Sequence, residues 1–235
     1  MAQRPAPAAR LSLARRAVVE AVGTGLLVTA VVGSGIMGER LAGGNVGLAL
    51  LANTAATGAA LLALIAALGP LSGAHFNPVV TVADRLGGGL SWGEVSAYIG
   101  AQVSGGVFGT VAAHLMFEAP VFSLSRHARA GPAQLFSEIV ATFGLVLIIG
   151  TCARHRPNAV PWAVASYISA AYWFTASTSF ANPAVTLARA VSDSFAGIRP
   201  VDVPGFIVAQ AVGGALAVAV LRWLLPRDPD APEAQ

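Results

Sequence analysis

Two short stretches, "HFNPVVTVAD" at 75–84 and "FANPAVTLAR" at 180–189, decide how this chain folds. The Asn-Pro of the first stretch recurs in the second, 105 residues later, together with the Val-Thr that follows it. Asparagine is a good N-cap residue, and proline fits the first helical position because its missing N–H is not needed there. Each stretch therefore predicts the start of a short helix, one over residues 77–86 and the other over 182–191.

The rest of the sequence has the composition of a membrane protein. Of its 235 residues 55% are hydrophobic and 11% are charged, against about 25% charged residues in a typical soluble domain. A helix of about 20 residues crosses a bilayer. Six segments are apolar enough to do so: 16–37, 46–69, 94–117, 136–153, 160–177 and 203–225. We therefore expect an all-α membrane protein with six transmembrane helices.

Further repeats relate the two halves of the chain. "EAVGT" at 20–24 matches "EIVAT" at 138–142, and "AQVSGG" at 101–106 matches "AQAVGG" at 209–214. Each half holds three spans, an odd number, so the second half must enter the membrane from the opposite face as an inverted repeat. The expected order is a disordered N-terminal tail, a first repeat, a connecting loop, a second repeat and a C-terminal tail, over 1–13, 14–117, 118–134, 135–225 and 226–235.

The two Asn-Pro helices are too short to cross the membrane alone. About ten residues rise about 15 Å, so two re-entrant half-helices that meet tip to tip would together cover a hydrocarbon core of about 30 Å. Irregular backbone at that depth is tolerated only where protein covers it or where it lines a water-filled cavity. The pattern therefore favours a pore through a single channel domain (1–235), with its site near the midplane between the halves.

The distribution of arginine predicts the orientation of the chain. Arginines are concentrated before the first span, between the fourth and fifth spans and after the sixth span, which lie on one side of the membrane if the spans alternate. The positive-inside rule then places both termini in the cytoplasm. We expect a multi-pass protein of a bacterial inner (plasma) membrane, and this orientation explains the basic charge without a nucleic-acid partner. The single Cys152 excludes an intrachain disulfide.

"SGAHFNPVVT" at 72–81 and "SFANPAVT" at 179–186, with Glu20 and Glu138 opening the first and fourth spans, resemble the aquaporin and aquaglyceroporin (major intrinsic protein) family. The resemblance covers about residues 14–225. It implies passive conduction of small neutral solutes and water across the lipid bilayer by a homotetramer with one pore per subunit. It also implies a pore centre at Asn77 and Asn182, and half-helix starts at Pro78, Val79, Pro183 and Ala184, although the family usually has alanine in place of Val79.

The outer constriction of the family, its selectivity filter, is formed by four positions that can be counted from the two asparagines. They fall on Thr57, Ala170, Ser179 and Val185. Family members usually carry arginine at the last position, and none of these four residues is large. We therefore expect a wide, arginine-free filter with two hydroxyl groups. Such a filter resembles those of bacterial channels associated with arsenic resistance, which implies metalloid acids (arsenite and methylated arsenicals) and glycerol-like solutes as substrates.

Four further side chains have open roles. Arg189 lies one turn beyond Val185, so its guanidinium either reaches toward the place of the absent filter arginine or sits in the outer vestibule beside the helix C-terminus. Glu20 and Glu138 either brace the re-entrant loops, as the resemblance implies, or couple protons to transport. His75 either gates the cytoplasmic vestibule by protonation or is a hydrogen-bonded loop residue.

A passive channel is the function that the sequence favours. A water-selective aquaporin, a coupled secondary transporter and a non-conducting scaffold remain as alternatives, and measurements of flux and accumulation separate them. His114, His127 and His155 do not have the spacing of metal ligands. Because no Ser/His/Asp arrangement, paired carboxylates or phosphate loop is present, we expect no enzyme activity, no cofactor and no metal site.

Overall fold

The computed structural model describes residues 10–225, and this range contains eight α-helices and no β-strand. The helices are α1 (Leu13–Leu41), α2 (Val46–Ser72), α3 (Pro78–Leu86), α4 (Trp92–Met116), α5 (Pro132–His155), α6 (Val160–Phe174), α7 (Pro183–Arg189) and α8 (Val203–Leu224). The long helices correspond to the six expected spans, and α3 and α7 correspond to the two half-helices. Of the expected tails, residues 1–9 and 226–235 lie outside the described range.

Four segments of the described chain are long and apolar enough on their own to cross a membrane: Leu13–Leu41, Val46–Ser72, Pro132–His155 and Pro200–Leu224. α4 falls short in hydropathy because it carries polar side chains, such as those of Gln102 and His114, which are buried inside the protein. α6 has only 15 residues, because the chain leaves the helix at Thr175 and enters the irregular segment before Asn182. The span expected over 160–177 is therefore shorter than the sequence suggested.

The two halves pack in the same way. In the first half α1 packs against α4 and α2, and in the second half α5 packs against α8 and α6. Glycine makes the central crossings possible: a Cβ atom at Gly105 would lie 2.1 Å from the backbone oxygen of Ala21, and one at Gly213 would lie 2.4 Å from that of Ile139. At these crossings the helix backbones are in contact, as small residues allow in membrane helix pairs.

The two half-helices meet at their N-terminal tips in the middle of the molecule. The Asn77 Oδ1 atom accepts a hydrogen bond from the Val79 N–H (2.9 Å), and the Asn182 Oδ1 atom accepts one from the Ala184 N–H (3.0 Å). Both asparagines are therefore N-caps, with Pro78 and Pro183 at the first helical position. α7 ends at Arg189, two residues before the expected end, and each half-helix packs against both α4 and α8.

Candidate functional site

A cavity of about 1100 Å³ passes between the two halves. It extends from Asn158, in the connection between α5 and α6, past both half-helix tips to Arg189 at the end of α7. Aliphatic side chains form much of its wall, including Leu27, Val31, Ile65, Leu145, Val164 and Ile168. The cavity therefore gives a path that touches the tips of both half-helices.

The backbone before each asparagine adopts an unusual conformation. Ala74 and Phe76 have φ angles of 48° and 49°, and the corresponding residues of the second half, Ser179 and Ala181, have φ angles of 52° and 47°. Such left-handed conformations cost a non-glycine residue about 1–3 kcal/mol each and persist only where the surroundings hold them. Contacts with other parts of the protein therefore hold both loops in this left-handed conformation.

In the first half the carboxylate of Glu20 makes these contacts. It accepts hydrogen bonds from the backbone N–H groups of His75 (3.0 Å) and Phe76 (2.7 Å) and from the Ser72 hydroxyl (2.7 Å). The side-chain amide of Gln102 donates a fourth hydrogen bond (2.8 Å). The Glu20 side chain is completely buried, and all four of these contacts come from donors.

Glu138 makes the same set of contacts in the second half. It accepts hydrogen bonds from the N–H groups of Phe180 (2.9 Å) and Ala181 (2.8 Å), from the Ser177 hydroxyl (2.6 Å) and from the Gln210 amide (2.6 Å). Glu138 is also completely buried. The repeated "EAVGT" and "EIVAT" segments thus place one carboxylate behind each re-entrant loop, in equivalent positions.

Asn77 and Asn182 face each other across the middle of the cavity. The Asn77 Nδ2 atom donates to the Ala181 carbonyl (2.7 Å), and the Asn182 Nδ2 atom donates to the Phe76 carbonyl (2.7 Å). An amide NH2 group has two hydrogens, so each asparagine keeps a second donor beyond this bond. Both side chains line the cavity, so these donors are available to a passing molecule.

Three of the four filter positions expected from the sequence line the cavity: Thr57, Ser179 and Val185. All three are buried, and the Ser179 hydroxyl has no hydrogen-bond partner in the described chain. Val185 lies on α7 three residues beyond Asn182. These positions bring two hydroxyl groups and one apolar side chain to the wall of the cavity.

The fourth position, Ala170, is a correction to the expected filter. Its side chain is exposed and does not line the cavity, whereas the buried Tyr172, two residues further along α6, does. Two residues turn a helix by about 200°, so Ala170 lies on the face opposite to Tyr172 and Ile168. The Tyr172 hydroxyl donates to the Thr57 hydroxyl (3.3 Å). The expectation that nothing large lines this region is therefore wrong.

A helical pattern in the sequence contained the information needed to find Tyr172. Val164, Ile168 and Tyr172 are four residues apart, and all three line the cavity from one face of α6. Counting back from Asn182 reached Ala170 instead, because such a count assumes that the segment between α6 and α7 has the same length and path in every relative.

Arg189 lines the same cavity as Val185 and Ser179. Its side chain is 2% exposed, and its guanidinium carbon lies 3.3 Å from the centre of the Phe180 ring. Its Nε atom donates to the Ala196 carbonyl. Arg189 therefore contributes to the cavity wall, and which of the two positions considered from the sequence its guanidinium takes stays a prediction.

Arg129, in the loop between α4 and α5, was not expected near the site. Its side chain is 6% exposed, and its guanidinium carbon lies 4.9 Å from the centre of the Phe180 ring. Burial lowers the pKa of Arg129 to about 10, so the group is still positively charged at neutral pH. Two buried arginines thus contact the same phenylalanine.

His75 lines the other half of the cavity, on the α5–α6 side of the asparagines. Its Nδ1 atom lies 3.2 Å from the Thr81 hydroxyl, and its ring packs edge to face on Tyr98, with ring centres 5.6 Å apart. Within residues 10–225, no group of three or more His, Cys, Asp and Glu side chains has the arrangement of a metal site.

Comparison with known proteins shows what this architecture is related to. The sequence pattern of the major intrinsic proteins matches residues 8–161 and 152–234. The chain is 57% identical to aquaglyceroporin AqpS of Rhizobium meliloti over 213 residues, which cover 91% of each protein. It is 28% identical to aquaporin Z of Bradyrhizobium diazoefficiens over 228 residues, which cover 89% of this chain and 93% of that protein.

A solved structure shares the fold. The X-ray structure of the aquaglyceroporin from Plasmodium falciparum superimposes with a TM-score of 0.69 over 92% of this chain and 98% of that one, at 18% sequence identity. The architecture here is therefore aquaporin-like: six long helices and two half-helices that meet at the centre. The chain belongs to the major intrinsic protein family, whose members are passive channels and not enzymes.

Proposed function

We propose that this protein is a passive channel for small uncharged solutes that contain hydroxyl groups. The proposed substrates are glycerol-like polyols and the undissociated acids of trivalent metalloids, arsenite and methylated arsenicals. The observation that carries the proposal is the cavity that extends past both Asn77 and Asn182 to the region of Thr57, Ser179 and Val185. The relative at 57% identity is named an aquaglyceroporin, which supports the same class of solute.

The centre of the cavity suits neutral molecules. The free N–H groups of Asn77 and Asn182 can donate to a solute oxygen, and the positive ends of the α3 and α7 dipoles point toward the same place. A neutral solute exchanges hydrogen bonds with water for these at little net cost. A cation would meet the positive potential after losing its hydration shell, so the centre opposes ion passage.

We assign the filter to Thr57, Tyr172, Ser179 and Val185. The three hydroxyl-bearing side chains supply polar contacts, and Val185 supplies an apolar one. A polyol or an undissociated metalloid acid combines hydroxyl groups with a less polar remainder, so it can satisfy both kinds of contact at once. The Ser179 hydroxyl has no hydrogen-bond partner in the described chain, so it can both donate to and accept from such a solute.

Tyr172 also gives weight to a second candidate function, a water-selective channel. An aromatic side chain narrows a passage, and Tyr172 stands where an alanine was expected. Since Val185 leaves the filter position without the usual arginine, the narrowing rests on Tyr172 rather than on a guanidinium at residue 185. Measurement of glycerol and water flux side by side distinguishes the two candidates.

The two buried glutamates support a channel rather than a proton-coupled transporter. Each carboxylate is held by four donors behind a re-entrant loop, as expected of a brace that keeps the loop in its left-handed conformation. Neither Glu20 nor Glu138 lines the cavity. We propose that both have this structural role, and that His75 is a hydrogen-bonded wall residue of the cytoplasmic vestibule.

We further propose that the protein is a homotetramer in a bacterial inner membrane, with both termini in the cytoplasm and one pore in each subunit. The arginine distribution supports the orientation. The outer faces of the long helices carry exposed apolar side chains, such as Phe108, Val208 and Leu216, which suit contact with lipid or with a neighbouring subunit.

Stopped-flow light scattering on proteoliposomes tests the proposed function. Vesicles that contain the protein should admit glycerol and arsenous acid faster than empty vesicles made in parallel. If glycerol and arsenous acid enter no faster than they enter empty vesicles while water flow is accelerated, the protein is the water-selective alternative. If water, glycerol and arsenous acid all cross at the rates of empty vesicles, the protein is not a channel.

A further inference from the structure

We infer that Arg189 supplies the solute-facing positive charge that Val185 does not, and that Arg129 positions it from the connecting loop. This inference rests on the proposed function, because it assigns a specificity-determining residue to the same passage. The guanidinium of Arg189 lies one helical turn beyond the usual filter position, and that of Arg129 belongs to neither half-helix.

The guanidinium of Arg189 has two sides with different surroundings. One side is fixed, because its Nε atom donates to the Ala196 carbonyl and its guanidinium carbon lies over the Phe180 ring. In the described chain the Arg189 side chain donates only from Nε, so the two terminal nitrogens have no protein acceptor, and the residue lines the cavity. Their hydrogens are therefore left to donate to a solute oxygen in the passage, as those of a filter arginine do.

Arg129 connects the two segments against which Arg189 rests. Its Nη1 atom donates to the Ser177 carbonyl (3.0 Å), in the segment that carries Phe180. Its Nε atom donates to the Gly197 carbonyl (2.8 Å), beside Ala196. By holding both segments, Arg129 fixes the ring and the carbonyl that set the position of the Arg189 guanidinium.

The two guanidinium charges are not neutralised by ion pairs. Among residues 10–225 the ion pairs within 4.0 Å involve Arg10, Arg16, Arg126 and Arg199, and neither Arg129 nor Arg189 takes part in one. Carbonyl oxygens solvate both groups instead. Arg189 lines the cavity and Arg129 does not. Because buried charges are screened less than exposed ones, the Arg189 charge should raise the positive potential of this end of the cavity and oppose the entry of cations.

Replacing the charge without changing the fold tests this assignment. In proteoliposomes with an imposed membrane potential, Arg189→Gln should increase Na⁺ and proton leak by about tenfold, while glycerol flux is retained or raised. The matched control is Arg126→Gln, because Arg126 lies in the same loop as Arg129 but its side chain is 90% exposed and pairs with Asp193. The control should leave cation leak unchanged.

Two single and two double variants test whether the charge acts at the filter and whether Arg129 acts through Arg189. Val185→Arg introduced into the Arg189→Gln protein should restore cation exclusion, because it returns a guanidinium to the passage. Arg129→Gln alone should raise cation leak. Arg129→Lys should raise it as well, because an ammonium group cannot bridge two carbonyls as the guanidinium fork does. Added to Arg189→Gln, the Arg129→Gln change should have no further effect on leak.

The outcomes separate this inference from the proposed function. If wild-type protein passes no neutral solute, the proposed function fails whatever the arginine variants do. If wild-type protein passes glycerol and Arg189→Gln leaves cation leak unchanged, the filter role of Arg189 is wrong. If the Arg129 and Arg189 effects on leak add, Arg129 does not act through Arg189, and its contribution is only to the general stability of the loops.

Discussion

Replacing Glu138 with glutamine removes half of the acceptors behind the second re-entrant loop. The glutamate accepts two hydrogen bonds on each carboxylate oxygen. A glutamine keeps one oxygen and places an NH2 group where the other accepted from the Ala181 N–H and the Gln210 amide. Two buried donors then lose their acceptor. Each such loss costs about 1–3 kcal/mol, so the free energy of unfolding should fall by about 2–6 kcal/mol.

Thermal unfolding of the purified protein in detergent measures this change. For a protein of this size about 1 kcal/mol corresponds to about 2–4 °C in Tm, so Glu138→Gln should lower Tm by at least about 4 °C. Glu20→Gln should have a similar effect, because Glu20 has the same four kinds of contact in the first half. Glu39→Gln is the matched control, since Glu39 is exposed at the end of α1.

An unchanged Tm for Glu138→Gln would refute this reasoning. It would mean that the carboxylate does not stabilise the loop and that its burial needs another explanation, such as proton coupling. In that case the variant should fold normally but lose any response of flux to an imposed pH gradient. The bracing role instead predicts lower stability, with no such response in the wild-type protein.

Three further substitutions test the filter and the packing of the helices. Val185→Arg should reduce glycerol flux much more than water flux, since it fills the apolar side of the filter; equal reduction of both would contradict the size argument. Tyr172→Ala should raise the flux of glycerol and of larger polyols in the same stopped-flow assay, and an unchanged glycerol-to-water ratio would show that Tyr172 does not narrow the passage. Gly105→Ala should destabilise the protein by about 1–3 kcal/mol in thermal unfolding, because its Cβ atom would lie 2.1 Å from the Ala21 oxygen. Gly93→Ala, whose Cβ atom meets nothing within 4 Å, should not.

Local sequence signals were sufficient to predict the centre of this structure. The Asn-Pro pairs determine where α3 and α7 begin, because capping and the missing proline N–H act within a few residues. The matching glutamates could be paired with the two loops because the order of the parts is repeated in each half. These features depend on short-range chemistry and on repetition, and a single sequence shows both.

The outer end of the cavity could not be predicted in the same way. Which residue of α6 faces the cavity depends on the rotation of that helix, so a count from Asn182 selected Ala170 where the structure has Tyr172. Arg129 lies 48 residues before Ser177 and 68 before Gly197, the partners of its guanidinium. No local pattern marks such a contact, because it exists only once the connecting loop has folded over the second half.

Uptake of labelled glycerol by proteoliposomes measures passive conduction most directly. The initial rate should rise in proportion to the external concentration without saturating, and uptake should stop when the internal and external concentrations are equal, with or without a pH gradient. Accumulation above the external concentration in the presence of a gradient, or a rate no faster than that of empty vesicles, would contradict a passive channel for neutral solutes.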